Sequence, residues 1–347
     1  MKKTMKLGFM MTLLSGLMFF ASCDDNDEIT PVDPNAEYDA ILRLTEGGDA
    51  GDTTTSEVNV NANEQKSIKA KVTFISTDAT MRRLYITQNI GGQGEEPYEI
   101  TANVDKKADG SIDIESANSN QIIYELTLPV PSGVGEGTVV YKLWTTTGRG
   151  DYRDPSQRIA VGPGEIILKY GGSNPEATVN SYTAKMLAAP TDDGSSETFI
   201  STFNGELYQI SEGSEYASFW DFGYYWLNSP GASLASTASY PALFDHDDDP
   251  NTALVAVATL TNTAQDDLNK TYFVESNGTD FDAVTTSSDL SSLNVSDSNG
   301  QKINNLEVGD IIAFVDSYGK KGLIRVKEIE PGFGSGDYIV IDVKVQP

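Results

Sequence analysis

Apolar and polar residues alternate in short runs along most of this chain. That two-residue period is the mark of half-buried strands, not the 3.6-residue period of amphipathic helices. Ser67-Ile68-Lys69-Ala70-Lys71-Val72-Thr73-Phe74 alternates cleanly, and Arg83-Leu84-Tyr85-Ile86-Thr87 follows after a turn. Asp109-Gly110 between short runs is a hairpin signal, and residues 122–128 lead into a Pro129-Val130-Pro131-Ser132-Gly133 break. Residues 137–144 offer two faces; Val139, Tyr141 and Leu143 make the better core face, which leaves Trp144 on the outer one. Strands at this spacing, with no convincing amphipathic helix between them, predict an antiparallel β-sandwich of about 130 residues, the size of an immunoglobulin-like module.

A Gly171-Gly172-Ser173-Asn174-Pro175 segment then reads as a linker. Beyond it, strand signals recur at residues 197–203, 254–260, 270–274, 310–315, 321–326 and 337–345, with a short helix near 288–293. The expected fold is mainly β: an immunoglobulin-like β-sandwich over residues 37–172, then a second β-rich domain over 177–347. No fixed-period repeat relates the two halves.

The N-terminus has a different pattern. Lys2, Lys3 and Lys6 precede an uncharged apolar run over residues 7–21, closed by Ser22 and Cys23, the one cysteine of the chain. The run is shorter than the ~20 residues of a membrane-spanning helix, so residues 1–22 read as a signal peptide. A thiol directly after Phe20-Ala21-Ser22 resembles the lipidated first residue of bacterial lipoproteins. The bland alternative is a secreted protein with a spare cysteine. Asp24, Asp25, Asp27 and Glu28 follow at once, and this acidic run resembles the surface-export signal of Bacteroidota lipoproteins. It also reads as inner-membrane retention, as in some other bacteria, or as a plain acidic tether over residues 23–36. The first resemblance implies an outer-membrane protein held by its lipid and facing the cell exterior.

Charge narrows the partners. The formal net charge is −27, and losing residues 1–22 removes three lysines and no carboxylate, leaving −30. Nucleic acid and an anionic bilayer surface are both repelled, so membrane attachment falls to the lipid. With one cysteine, no intramolecular disulfide forms.

Several constellations are candidates for chemistry. Tyr216, Phe219, Trp220, Phe222, Tyr224, Tyr225 and Trp226 form the densest aromatic cluster. A strand here turns Trp220, Phe222, Tyr224 and Trp226 to one face, read as core, and leaves Phe219 and Tyr225 on the other. Phe219, Tyr225 and Trp226 are candidate sugar-stacking rings, with Asp221 and Asn228 placed to bond hydroxyls. Arg149 and Arg153 are candidate ligand guanidiniums beside Asp151 and Asp154; a loop cross-linked by its own ion pairs is the alternative. Arg149-Gly150-Asp151 also spells a tripeptide that some adhesion receptors bind. Asp245, Asp247 and Asp249 offer oxygen ligands for calcium, although Pro250 replaces the glycine of a helix-loop-helix calcium site; a solvated acidic turn explains the same run. Asp52-Thr53-Thr54 resembles a Bacteroidota O-glycosylation sequon, with Thr53 as acceptor. His246 is the one histidine, and no catalytic residue or resident cofactor is assigned.

The order of anchor, export signal, sandwich and second β domain resembles the starch-binding outer-membrane lipoproteins of Bacteroidota, with no binding residue carried over. That layout implies a non-catalytic binding module, for glycans beside a nutrient-uptake system. The alternative is a structural, protein-interaction or adhesion subunit of an outer-membrane assembly. A carboxylate glycosidase ranks last.

Overall fold

A computed structural model describes residues 29–30, 37–46, 54–98, 100, 104–114, 120–154, 159–247, 249–332 and 336–347. Strands dominate them, in four sheets, and each helix is only one or two turns long. The expectation of a mainly β chain holds.

Two sheets form the N-terminal half. One runs, in spatial order, Ile29–Thr30, Gln121–Pro129, Ser67–Ile75 and Ala40–Thr45. The other runs Thr55–Asn59, Ile159–Gly171, Gly137–Thr146, Arg83–Ile90 and Glu95–Pro97, with Ile112–Asp113 also on Arg83–Ile90. Leu42, Val72, Phe74 and Leu126 of the first face Ile86, Tyr141, Leu143 and Ile166 of the second in one core; Val72, Phe74, Tyr141 and Leu143 lie on the faces that alternation assigned. One expectation changes. Ala40–Thr45 pairs in parallel with Ser67–Ile75, and Thr55–Asn59 in parallel with Ile159–Gly171, so the sandwich is not purely antiparallel. The chain leaves the first sheet after Ala40–Thr45, adds Thr55–Asn59 to the second, and returns; such a crossover is what parallel neighbours require.

The C-terminal half has two more sheets. One orders Asn180–Ala188, Tyr338–Val345, Lys321–Glu330, Ile311–Val315 and Tyr272–Glu275; the other orders Leu207–Tyr208, Phe199–Ile200, Phe222–Leu227, Gly231–Ser236 and Lys302–Ile303. Phe222, Tyr224 and Leu234 pack against Ile312, Phe314, Ile324 and Ile341. The opposite face of Phe222–Leu227 is buried too, with Tyr225 set among Phe199, Trp220, Tyr240 and Phe244. Crowding on that side explains a glycine, since a Cβ at Gly223 would come within 2.8 Å of the Phe199 ring and 3.0 Å of Tyr240.

Two predicted elements differ. The expected strand at 254–260 is a helical turn, Val257–Leu260, preceded by a single bridge between Val255 and Phe244; nearly every residue of the run is apolar, so period alone could not set its type. The expected strand at 197–203 shortens to Phe199–Ile200. A helix does form at Ser287–Ser291, capped reciprocally: Thr286 Oγ1 accepts from the Asp289 amide, and Asp289 Oδ2 accepts from the Thr286 amide at 2.8 Å. Among the described residues no helix is long and apolar enough to cross a membrane.

Candidate functional site: the pocket between the two halves

Trp144 points away from the sandwich core, as its strand position dictates, yet it is fully buried. It stacks on Tyr85 with centroids 5.3 Å apart and planes 10° from parallel, and Tyr152 meets both rings edge-on. The C-terminal half closes over this aromatic face with Phe219, from the 3-10 helix Ser214–Phe219, itself stacked on Tyr208 at 5.6 Å. The second half is therefore the cover that an outward tryptophan on the sandwich needs.

Polar groups frame the rings. Arg83 donates to Asp109 at 3.4 Å and, across the seam, to Glu215 at 3.1 Å. Tyr85 donates to Asp109 at 2.8 Å and accepts from the Gly150 amide at 2.7 Å; burial, then the Asp109 charge, pushes its phenol up to about 12. Arg149 lies 3.6 Å from Asp267, and the Tyr318 hydroxyl donates to Asp151. Gln93 Oε1 accepts from the Thr178 amide at 3.0 Å, and Asn174 Oδ1 from the Thr138 amide at 2.9 Å, so the residues joining the halves are tied back to the sandwich.

At the centre is Arg153. Its Nη1 donates to Asp221 Oδ1 and Oδ2 at 2.9 and 2.8 Å, and its guanidinium carbon lies 4.1 Å from the centroid of the Tyr318 ring. Nε and Nη2 are buried with no hydrogen-bond acceptor among the described residues. Burial opposes the charge, but Asp221, Tyr318 and Asp151 outweigh it and hold the guanidinium protonated more firmly than usual. Asp221 also accepts from the Thr202 amide and hydroxyl at 2.6 and 2.7 Å and from Asn269 at 2.9 Å.

Beside this pair opens a pocket of about 120 Å³. The part-exposed rings of Phe203 and Tyr318 line it with Asn180, and the buried Tyr152, Thr202 and Asp316, the buried side chain of Arg153 and the more exposed Glu95, Lys320 and Gln346 are also in its wall. Its place at the seam and its mixture of rings with a few polar groups are those of a small-molecule site. The wall charges are mostly committed: Glu95 accepts from Lys142 and from Thr87, each at 2.7 Å, and Lys320 donates to the Pro347 oxygen. On the other side of Tyr318 lies a polar cleft with Arg149, Asp151, Asp267, Asn269 and Lys270 in its wall.

The sequence candidates scatter across this geometry. Phe219 and Tyr225 are not stacking platforms, being 6% and 3% exposed. Phe219 fills the seam, and Tyr225 sits in the second core with its hydroxyl donating to Asn304 at 2.9 Å. A strand covered on only one face was the premise, and Phe222–Leu227 is covered on both. Trp220 departs for another reason: it caps the 3-10 helix Ser214–Phe219 ahead of the strand, so strand alternation does not set its face, and it packs with Tyr225 and not with Phe222 and Tyr224. Asp221 is fully buried and binds Arg153 instead of a ligand hydroxyl. Arg149 and Asp151 lie in the seam, so their tripeptide is not displayed for a receptor. Trp226 is half-buried and lines a separate groove with Pro190, Asp192, Leu243 and Leu254, while Asn228 is exposed on the following turn.

Oxygens of Asp245 and Asp247 lie within 4.8 Å of one another and of a His246 ring nitrogen. Asp245 Oδ1 accepts from the Asp247 amide, Asp247 Oδ1 from the Asp249 amide, and Asp249 Oδ1 from the Asn251 amide, at 3.1, 3.2 and 3.0 Å. These are successive Asx turns, a local use of the carboxylates. Cys23, Asp24, Asp25, Asp27, Glu28 and Thr53 lie outside the described residues.

The sequence did not flag Tyr152, Asn180, Phe203, Asp316 or Tyr318. They come from four separate segments, Asp316 and Tyr318 sharing one turn, and only the tertiary fold brings them together. No family model and no curated protein matches the chain. Among solved structures it is similar to a DUF4466 family protein from Parabacteroides merdae ATCC 43184, at 9% identity over 87% of this chain and 96% of that one, with a TM-score of 0.35. A likeness at that level carries no argument about the site.

Proposed function

We propose that this protein is a non-catalytic binding lipoprotein whose ligand, a neutral polyhydroxylated molecule such as a short glycan, sits in the pocket between its two halves. One observation carries the reading: the pocket sets two part-exposed rings, Phe203 and Tyr318, beside the side-chain amide of Asn180. Sugars offer flat C–H faces to rings and hydroxyls to amides. Because the charges of Arg153, Glu95 and Lys320 already meet Asp221, Lys142 and the Pro347 oxygen, a ligand without net charge fits better than an ion. The two wall carboxylates, Glu95 and Asp316, both accept several hydrogen bonds, which speaks against a free acid and base pair. Lipid on Cys23 would hold the protein at the outer membrane, facing outward through the acidic run after it; Cys23→Ser is expected to lose lipid labelling and membrane retention.

The alternative, a protein-interaction subunit, has support in the groove beside Trp226, where Leu254 is 47% exposed. A glycan array probed with residues 36–347, followed by calorimetry on any hit, separates the two. The pocket reading expects a neutral-glycan hit weakened at least tenfold by Asn180→Ala or Phe203→Ala and unchanged by Trp226→Ala. A hit lost only with Trp226→Ala moves the site to the groove, and a blank array rejects the glycan.

A further inference from the structure

The pocket beside Arg153 holds about 120 Å³, below the ~300 Å³ at which small-molecule sites usually begin. A second hollow, of about 540 Å³, adjoins it and shares three wall residues with it, Glu95, Asn180 and Phe203. The two differ in depth. Tyr152, Thr202, Asp316 and Val345 of the pocket wall are buried, whereas every residue of the second wall is half-buried or exposed. The pocket is therefore the inner end of a trough that opens to solvent along the seam.

Both halves build the trough. The sandwich supplies the hairpin of Arg83–Ile90 and Glu95–Pro97, with Gln93 in its turn; the C-terminal half supplies the start of Asn180–Ala188 and the turn at Phe203 and Asn204. Gln93 Oε1 ties the two walls together by accepting from the Thr178 amide and hydroxyl, both at 3.0 Å. Tyr318 belongs to the pocket alone, Phe203 to both hollows and Tyr182 to the trough alone, so three part-exposed rings succeed one another from the inner end outward. Tyr182 is held in place. Its hydroxyl donates to the Phe203 carbonyl at 2.7 Å, and its ring lies against Gly205, where a Cβ would come within 2.3 Å. A ring fixed before binding loses little further freedom when a ligand stacks on it.

The wall chemistry selects among elongated ligands. Carboxylates of Glu95 and Glu96 line it and repel an acidic chain. An extended peptide would need a continuous ladder on a sheet edge. Glu95–Pro97 and Asn180–Ala188 each end a sheet, but Pro97 has no amide proton and the pairing register of Asn180–Ala188 shifts after Tyr182. Separate polar groups set between rings suit hydroxyls on flat sugar faces instead.

We propose that the ligand is the end of a neutral glycan chain, its terminal sugar entering the pocket at Tyr318 and the units behind it stacking on Phe203 and Tyr182 along the trough. This rests on the glycan reading above and adds that chain length sets the affinity. A single sugar reaches only the inner end and leaves Tyr182 bare.

The test is calorimetry of the protein with neutral ladders of glucose, galactose, mannose and xylose oligomers, in α and β linkage, from monosaccharide to hexasaccharide. Two variants touch the trough and not the pocket: Ser181→Trp, which crowds it, and Tyr182→Leu, which removes its outer ring. Wild type is expected to bind one ladder with affinity that rises at least tenfold from the monosaccharide to the longer chains. Both variants are expected to lose that gain and to keep the weak monosaccharide binding. A monosaccharide bound as tightly as the longest chain, or a length gain untouched by both variants, overturns the chain and leaves a glycan pocket standing. Ladders that all stay blank overturn both readings, and capture of displayed random peptides, lost with Ser181→Trp, would then give the trough to a peptide. If either variant fails to fold, the wild-type length series decides with the other.

Discussion

Nη1 of Arg153 lies between the two carboxylate oxygens of Asp221, at 2.9 and 2.8 Å, across 68 residues of sequence and across the seam between the two halves. The side chains are 7% and 0% exposed, so the pair has left water entirely. Removing one member strands the other.

Arg153→Met is expected to cost about 3–5 kcal/mol of unfolding free energy, the usual penalty for leaving one charge of a buried pair alone. Adding Asp221→Asn should recover part of that loss, because the stranded carboxylate is then gone. Urea unfolding of the single and double variants measures both. Equal losses in the two would mean that the ion pair is not what Arg153 contributes.

Phe219→Ala opens the aromatic seam, where Trp144, Tyr85 and Tyr152 depend on it for cover. A loss of about 3–5 kcal/mol is expected for truncating a buried phenylalanine. Emission should shift to the red as water reaches Trp144, and acrylamide quenching of the folded variant should rise. Quenching identical to wild type would place the contact elsewhere.

Acid stability should depend on Asp342. Burial pushes its carboxyl upward, but the Ala184 amide and Arg325 outweigh it and hold the group below the usual range. A depressed carboxyl stabilises the fold above pH 3.8, and the contribution is lost as pH falls through the lower folded value. Asp342→Asn is expected to cost about 1–3 kcal/mol at pH 6 and to flatten the decline below pH 4. A variant that keeps the full acid decline would exonerate this residue.

Calcium at millimolar concentration is expected to leave the melting temperature unchanged, since the carboxylates of Asp245, Asp247 and Asp249 each cap a neighbouring amide. A ligand preferring the folded state must raise it. A rise abolished by Asp247→Asn would restore the calcium reading.

The strand Ser67–Ile75 was legible because only one of its faces is fully buried. Ile68, Ala70, Val72 and Phe74 alternate with polar residues and are all buried, so period and burial coincide. Around Phe222–Leu227 the same reasoning failed. Both faces are covered, and a strand buried on both sides gives no contrast from which to tell a ligand platform from core. Of the candidate rings, only Trp226 keeps partial exposure, and Arg153 and Asp221 turned out to bind each other.

By itself the sequence determined the β class, the inward faces of the sandwich strands and the acidic surface, because these follow from local period and from composition. It even placed Trp144 outward. Only the tertiary structure decided what covers Trp144, which acid meets Arg153, and where a pocket opens, since those contacts join segments far apart in sequence. Their distance is set by how two faces far apart in sequence dock, and no periodicity within either face encodes it.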